Sequence, residues 1–228
     1  MRAQHFLLKD SERGQKLSTK EILAGTTNPS KQLFFQHLFH GTQCRILTPA
    51  QLGIHEEPEE TGRTPVENAM EKAMFYGCYA ENVITTDSGM RWDELPADDS
   101  RQPGLHLRTP YGIRLSDEEM LAYYSGLIRG IGGKVTAYYL DAFAMKSGGR
   151  YLPFEPEREE LLKTAFVMRA QPVEARMPGW PLDSLSFDQA GISFLDPARG
   201  RNMQDQWGYM PRLRRTVLAV FGLKDEVG

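Results

Sequence analysis

The sequence predicts an α/β fold, because strand-like and helix-like segments alternate along the chain. Residues 21–25 form a short apolar run, and Asn28 with Pro29 is a typical start for a helix directly after it. A second helix is expected to begin at Pro65, and an apolar strand follows it at residues 82–86. This alternation is typical of a sheet that has helices packed on its faces.

The rest of the chain continues the same pattern. Ser116 and Glu119 have the spacing of a capping box, which predicts a third helix. Residues 134–145 predict a long strand, and residues 150–154 predict its return partner after a Ser-Gly-Gly turn. A final amphipathic helix is expected at residues 212–221. With 228 residues, the chain is long enough for one substantial core.

The helix that begins at Pro65 has a well-marked start. Thr64 is a good N-cap, and Glu67 follows three residues later, so a capping box is expected here as well. The helix should run to about residue 78, with an apolar inward face made of Met70, Ala73, Met74 and Gly77. Asn68 and Lys72 are four residues apart and therefore project from the same side of the helix.

Carboxylates and a lysine suggest a site around this helix. Glu60 precedes the helix, Lys72 lies on it, and Asp87 opens an Asp-Ser-Gly turn at the predicted end of the next strand. Ligands of open α/β sheets bind beyond the carboxyl ends of strands. Carboxylate oxygens suit Mg²⁺ and an ammonium suits phosphate oxygens, so the pattern predicts a metal–polyphosphate site. The alternatives are a solvated acidic loop at residues 56–60 and a Glu67 that only caps its helix.

Composition excludes several classes of function. A net charge of -3 and a pI near 6.0 argue against a nucleic-acid partner. No apolar run has transmembrane length, and the N-terminus lacks the apolar core of a signal peptide, so no membrane partner is expected. Two cysteines are too few for a disulfide framework, which favours a cytoplasmic location. The histidines lack the spacing of a zinc site.

The region from residue 60 to residue 90 resembles the inosine triphosphate pyrophosphatases. That family has a helix written E-x-G-x-T-F-x-E-N-A-x-x-K-A, and residues 60–73 match it almost throughout, with Pro65 in place of the phenylalanine. The family's next strand carries D-D-S-G-L, and this chain has Thr86-Asp87-Ser88-Gly89-Met90, so Thr86 replaces the first acid. The match is long and ordered.

The resemblance extends to both ends of this region. The family's first strand is followed by T-x-N-x-x-K, which matches Thr26, Asn28 and Lys31. Residues 178–185 are similar in outline to the family's G-F-G-Y-D-P, which puts Trp180 at the aromatic position and Asp183 at the acid. Beyond it, the family's lysine and its S-H-R histidine are missing, and only Arg212 lies at the matching arginine. Residues 1–18 fall outside the resemblance as an N-terminal extension, and residues 19–228 form the single domain.

The resemblance implies an elongated mixed central sheet flanked by helices, with two lobes and a nucleotide-binding cleft. It implies Mg²⁺-dependent hydrolysis of a nucleoside triphosphate between the α and β phosphates, by a cytoplasmic homodimer. Glu60 and Asp87 would hold the metal, and Asp87 would also orient or deprotonate the attacking water. The expected site residues are catalytic Asp87, Glu60 and Lys72, and substrate-binding Thr26, Asn28, Lys31, Glu67, Asn68, Ser88, Gly89, Trp180, Asp183 and Arg212. Two alternatives remain: the same chemistry with another base preference, and a nucleotide-binding protein without turnover.

Overall fold

The computed structural model describes residues 20–197 and 208–225. The expected extension at residues 1–18 lies outside the described residues. The strands are β1 (Lys20–Ala24), β2 (Cys44–Leu47), β3 (Val83–Trp92), β4 (Lys134–Ser147), β5 (Arg150–Phe154), β6 (Phe166–Arg169) and β7 (Ser186–Phe187). The helices are α1 (Pro29–Leu38), α2 (Pro65–Tyr76), α3 (Asp117–Gly130), α4 (Arg158–Leu162) and α5 (Met210–Phe221).

One mixed sheet contains all of these strands, in the order β2-β1-β3-β4-β6-β7. β1 pairs in parallel with β2 and β3, whereas β3 pairs antiparallel with β4 along its whole length. The sheet divides at β4, because β5 pairs with residues 143–147 and β6 with residues 134–137 on the edge away from β3. The predicted α/β class and the long strand with its return partner are therefore confirmed.

The predicted starts of α1, α2 and α3 are also confirmed, whereas α5 begins at Met210, two residues before the expected start. The Asn28 side chain accepts hydrogen bonds from the backbone N–H groups of Ser30 and Lys31, which caps α1. Ser116 and Glu119 form a complete capping box at α3. Such caps satisfy N–H groups that have no partner inside the helix. Within residues 20–197 and 208–225, no helix combines the length and apolarity needed to cross a membrane.

The predicted inward face of α2 is partly wrong. Ala73 is buried as expected, but Met74 is 57% exposed. The buried face instead includes Asn68 and Lys72, which are 1% and 9% exposed. A polar face is buried here because its partners are polar too: both side chains bind a carboxylate on β3. Hydrophobic periodicity identifies the helix face that packs on apolar neighbours. The face of α2 that packs on the sheet also includes polar residues, so periodicity predicted only part of that face.

The predicted turn at Asp87 is wrong as well. Asp87, Ser88 and Gly89 lie inside the ten-residue strand β3, which continues to Trp92. The antiparallel ladder with β4 carries the strand through this sequence, pairing Asp87 with Ala142 and Ser88 with Asp141. Turn-forming residues therefore become strand residues when a long neighbour provides a complete hydrogen-bonding partner.

The core consists of two main apolar clusters that meet along β4. One cluster lies around α1 and α5 and includes Phe35, Phe143 and Phe221. The other lies around α3 and includes Trp92 and Tyr124. These clusters form the two lobes of the molecule, and β3 and β4 run through both.

Candidate active site

The candidate site lies at an opening in the edge of β3. On this edge β3 pairs with β1 only as far as Ile84, and its next partner is Gly104, which bridges Met90. In the part of the chain that the structure describes, residues 85–89 have no strand partner there. The opening follows the carboxyl end of β1, where the loop leads into α1. This is the position at which open α/β sheets bind ligands.

Asp87 occupies the opening and is the centre of a charged cluster. Its Oδ1 atom lies 2.7 Å from the Lys72 Nζ atom and 3.8 Å from that of Lys31. Its Oδ2 atom accepts a hydrogen bond of 3.0 Å from the Asn68 amide. The Lys72 Nζ atom also lies 2.8 Å from the Glu60 Oε1 atom, so one ammonium bridges both predicted metal ligands. The structure thus brings all five of these predicted residues together.

The charges in this cluster set its protonation states. Burial disfavours the charged form of Lys72, but the charges and hydrogen bonds of Asp87 and Glu60 outweigh burial and raise the pKa of Lys72. Lys31 behaves differently: burial and the neighbouring charge of Lys72 lower its pKa, although three carboxylates oppose them. Because the two ammonium groups repel each other, an anion bound between them would stabilise both in their charged forms. Phosphate oxygens are such an anion.

The side chains around Asp87 fit a hard cation such as Mg²⁺. Glu60 and Asp87 are within hydrogen-bond reach of one ammonium and are therefore close together. Among the described residues, none donates a hydrogen bond to the buried Asn68 Oδ1 atom, so this group could accept one from a metal-bound water or bind a metal. Mg²⁺ commonly uses one or two carboxylates together with waters and substrate phosphates. No cluster of three or more His, Cys, Asp or Glu ligands occurs among residues 20–197 and 208–225.

The loop before α1 lies beside this cluster. The Thr26 Oγ1 atom accepts a hydrogen bond from the Asn28 N–H group, and the Thr26 carbonyl oxygen accepts one from the Gln32 side chain. These bonds fix the loop as it enters the N-terminus of α1. The Asn28 side chain already accepts hydrogen bonds from the Ser30 and Lys31 N–H groups, so this N-terminus attracts an anion through its positive dipole end and not through free N–H groups. The Thr27 hydroxyl contacts Glu57 from the acidic loop.

Three other residues of the matched motifs have structural partners. The Glu67 carboxylate accepts a hydrogen bond from the Arg63 N–H group, one residue before the expected N-cap, and Thr64 caps the Glu67 N–H group. The capping box is therefore only half formed. Gly89 allows close approach, because a Cβ atom there would lie 2.8 Å from the Gly104 carbonyl oxygen. Thr86, which replaces an acid of the family motif, is buried and donates to the Ala142 carbonyl oxygen.

The residues expected at the base are only partly brought together. Trp180 is 45% exposed and therefore does not fill the core. Its loop is held by Asp117, which accepts from the Gly179 N–H group. Asp183 lies in the short helical turn that follows. Burial raises the pKa of Tyr139 on β4, and the negative charge of Asp183 raises it further.

Arg212, by contrast, pairs with Glu160 at 2.6 Å and lies over the Phe154 ring at 4.3 Å. These contacts take its guanidinium to the α4–β5 side of the protein. Its assignment to the base stays a prediction.

The structure adds two residues that the sequence patterns did not indicate, Asp141 and Tyr209. The Asp141 Oδ1 atom accepts from the Ser88 hydroxyl at 2.7 Å, and its Oδ2 atom accepts from the Tyr209 hydroxyl at 2.7 Å. The pKa of Asp141 is raised, because burial and the charge of Asp87 outweigh the two hydrogen bonds and the charge of Lys31. A signal was available, because Asp141 is the one charged residue within the predicted strand interior at residues 135–145.

The fold and site define an α/β protein with a charged cleft suited to a metal and a phosphate chain. Its structure is similar to that of the Ham1 protein of Staphylococcus aureus, with a TM-score of 0.60, 18% identity and coverage of 88% of this chain and 99% of the other. A HAM1 protein from Coxiella burnetii gives a TM-score of 0.65 at 17% identity, with coverage of 88% and 99%. These likenesses confirm the mixed sheet flanked by helices.

Sequence comparison reaches the same result. The model of the Ham1 family matches residues 22–157, and the chain belongs to that family. The dITP/XTP pyrophosphatase of Thermoanaerobacter pseudethanolicus is 31% identical over 145 residues, which are 63% of this chain and 67% of the relative. The dITP/XTP pyrophosphatase of Bacillus subtilis is 30% identical over 113 residues, or 49% and 55% of the two chains. The resemblance to the inosine triphosphate pyrophosphatases is confirmed.

Proposed function

We propose that this protein is a Mg²⁺-dependent pyrophosphohydrolase of non-standard purine nucleoside triphosphates. It cleaves between the α and β phosphates and releases a nucleoside monophosphate and pyrophosphate. The observation that carries the proposal is the Lys72 ammonium, which bridges Glu60 and Asp87 in the opening of β3. The relatives named dITP/XTP pyrophosphatases support the substrate class.

The cluster divides into groups that bind phosphate and groups that handle water and metal. Lys31 and Lys72 offer two ammonium groups to the phosphate chain, and Thr26 and Asn28 shape the loop at the N-terminus of α1, where the helix dipole is positive. Asn68 orients the Asp87 carboxylate through its 3.0 Å hydrogen bond. That carboxylate is placed to orient the attacking water and to accept its proton.

Mg²⁺ would be held by Glu60 and Asp87, with the buried Asn68 Oδ1 atom beside them. The bound ion would lower the pKa of water and neutralise phosphate charge. Its carboxylate ligands are now paired with the Lys72 ammonium, so the arrangement requires that ammonium to shift towards the phosphates when metal and substrate bind. The long, flexible stem of a lysine permits such a shift.

Pyrophosphate release tests the proposal directly. Inosine, xanthosine and deoxyinosine triphosphates should yield pyrophosphate and the monophosphate in the presence of Mg²⁺, and addition of a chelator should abolish release. Release of inorganic phosphate with formation of a diphosphate would contradict the proposed bond cleavage. Tight nucleotide binding without any hydrolysis would support the alternative of a binding protein.

The base preference of this protein is the property most expected to differ from that of its relatives. Arg212 is engaged by Glu160 and the Phe154 ring, and the family's lysine and histidine are missing from the sequence. A comparison of all purine and pyrimidine triphosphates distinguishes a shifted preference from the proposed one. A homodimeric state and a cytoplasmic location belong to the same proposal.

A further inference from the structure

The loop that carries Glu60 runs antiparallel to α2 and is attached to it at successive residues. The Glu60 Oε1 atom lies 2.8 Å from the Lys72 Nζ atom. The next loop residue, Thr61, binds Glu71, which directly precedes Lys72 on α2. The Glu71 Oε2 atom accepts a hydrogen bond of 2.9 Å from the Thr61 N–H group, and its Oε1 atom accepts one of 2.7 Å from the Thr61 hydroxyl. Both oxygens of Glu71 are therefore directed at the residue that follows Glu60.

These two bonds gain importance when the contact between Glu60 and Lys72 is lost. Within residues 20–197 and 208–225, the Glu60 carboxylate pairs with the Lys72 ammonium alone, and its side chain is 44% exposed. The proposed function gives that carboxylate to Mg²⁺ and moves the ammonium towards the phosphates. After this shift, the bonds between Thr61 and Glu71 are the nearest ones along the chain that still tie Glu60 to α2.

The next residue, Gly62, shows how closely the loop lies against α2. A Cβ atom at Gly62 would lie 2.5 Å from the Asn68 Oδ1 atom and 2.7 Å from the Glu67 Cβ atom. Beyond it, the Arg63 N–H group donates a hydrogen bond of 2.6 Å to Glu67. Two carboxylates of α2 thus hold the loop on either side of this close contact, Glu71 before it and Glu67 after it.

We propose that Glu71 is a positioning residue that holds the Glu60 carboxylate in place for Mg²⁺. This inference rests on the proposed function. Glu71 acts through Thr61, and both residues occupy positions that the family motif leaves unspecified, so the inference concerns this chain. A ligand that is ordered beforehand loses less conformational freedom when the ion binds. Partners that orient metal ligands typically contribute roughly 10–100-fold to metal affinity.

Metal affinity measured without turnover tests the inference. Mn²⁺ prefers the same oxygen ligands as Mg²⁺, and its free concentration is measured by paramagnetic resonance. Glu71→Ala should raise the Kd for Mn²⁺ roughly tenfold or more. Thr61→Ala should raise it by a smaller factor, because the bond from the backbone N–H group remains. In the hydrolysis assay, Glu71→Ala should raise the half-saturating Mg²⁺ concentration and leave kcat at saturating Mg²⁺ unchanged, since Glu71 does not touch the reacting atoms.

Glu119→Ala is the matched control. Glu119 accepts hydrogen bonds from the N–H group and the hydroxyl of Ser116, at 2.8 and 2.7 Å, so it makes the same pair of bonds at the start of α3. Its removal should lower the melting temperature and leave the Kd for Mn²⁺ unchanged. Alanine favours helix, so α2 should form in Glu71→Ala; if that variant does not fold, Thr61→Ala decides. Wild-type Mn²⁺ affinity in Glu71→Ala, or an equal loss in Glu119→Ala, would overturn the inference.

Glu60→Gln separates a failure of the inference from a failure of the proposed function. If Glu60→Gln weakens Mn²⁺ binding and Glu71→Ala does not, the inference alone is wrong. If the wild type hydrolyses no triphosphate, the proposed function is wrong, and the Kd of Glu71→Ala for Mn²⁺ still decides the inference. Wild-type affinity in both variants would reject the inference together with the assignment of Glu60 to the metal.

Discussion

Replacement of Asp87 by asparagine removes one negative charge from the middle of the charged cluster and keeps the shape of the side chain. Asp87 is the residue that both lysines and the Asn68 amide contact. At 2.7 Å and an effective dielectric constant of about 20, the gross attraction between Asp87 and Lys72 is about 6 kcal/mol. Much of it is retained through Glu60, which lies 2.8 Å from the same ammonium. Breaking a buried pair completely costs about 3–5 kcal/mol, so we expect a loss of about 1–3 kcal/mol in unfolding free energy.

The rate should fall much more than this change in stability explains. An amide supplies no charge to a metal and accepts no proton, so kcat should fall by ~10²-fold or more. The assay is Mg²⁺-dependent pyrophosphate release, with urea unfolding of the same preparation. Asp93→Asn is a matched control, because Asp93 follows the end of β3 and forms an exposed pair with Arg158. It should leave the rate unchanged. Undiminished pyrophosphate release by folded Asp87→Asn would refute the reasoning.

Four further changes test other parts of the site. Lys72→Met should raise the Kd for triphosphate, and its melting temperature should recover with added Mg²⁺, because Glu60 and Asp87 lose the ammonium they share and then attract the ion; a calorimetric Kd equal to that of the wild type would exclude a phosphate role. Trp180→Ala should raise KM for all bases alike with little change in melting temperature, since stacking tolerates every base; a change confined to one base would contradict this. Arg212→Ala should lower the melting temperature because it breaks the ion pair with Glu160; a shifted base preference in the hydrolysis assay would support the assignment of Arg212 to the base, and an unchanged preference would contradict it. Gly62→Ala should reduce hydrolysis, because its Cβ atom would lie 2.5 Å from the Asn68 Oδ1 atom, whereas Gly126→Ala in α3 meets no atom of the described residues within 4 Å and should leave hydrolysis unaffected.

Local sequence signals predicted much of the fold. The caps at Asn28, Thr64 and Ser116 depend on a few adjacent residues, and all three side chains accept hydrogen bonds from their helices. The ladder between β3 and β4 joins residues that are far apart in sequence, and no local pattern contains it. It is this ladder that converts the expected turn at Asp87 into strand.

Local sequence signals likewise predicted some residues of the candidate site and missed others. Glu60, Asn68 and Lys72 were found because helical spacing and an ordered motif place them together, and they converge on Asp87. Asp141 was missed because its partners come from β3 and from the start of α5. A charge within an apolar strand is a usable signal for such residues, since a buried carboxylate needs partners from elsewhere in the chain.

The gap in the edge of β3 has a consequence for the solubility of the protein. An unpaired strand edge invites another chain to add a strand, which leads to aggregation. Here the gap is bounded by β1 on one side and by the Gly104 bridge on the other. Lys31 and Asp87 place charges at its rim. A foreign strand would find too short a stretch to extend its pairing, so the protein can keep this edge open to a small ligand without polymerising through it.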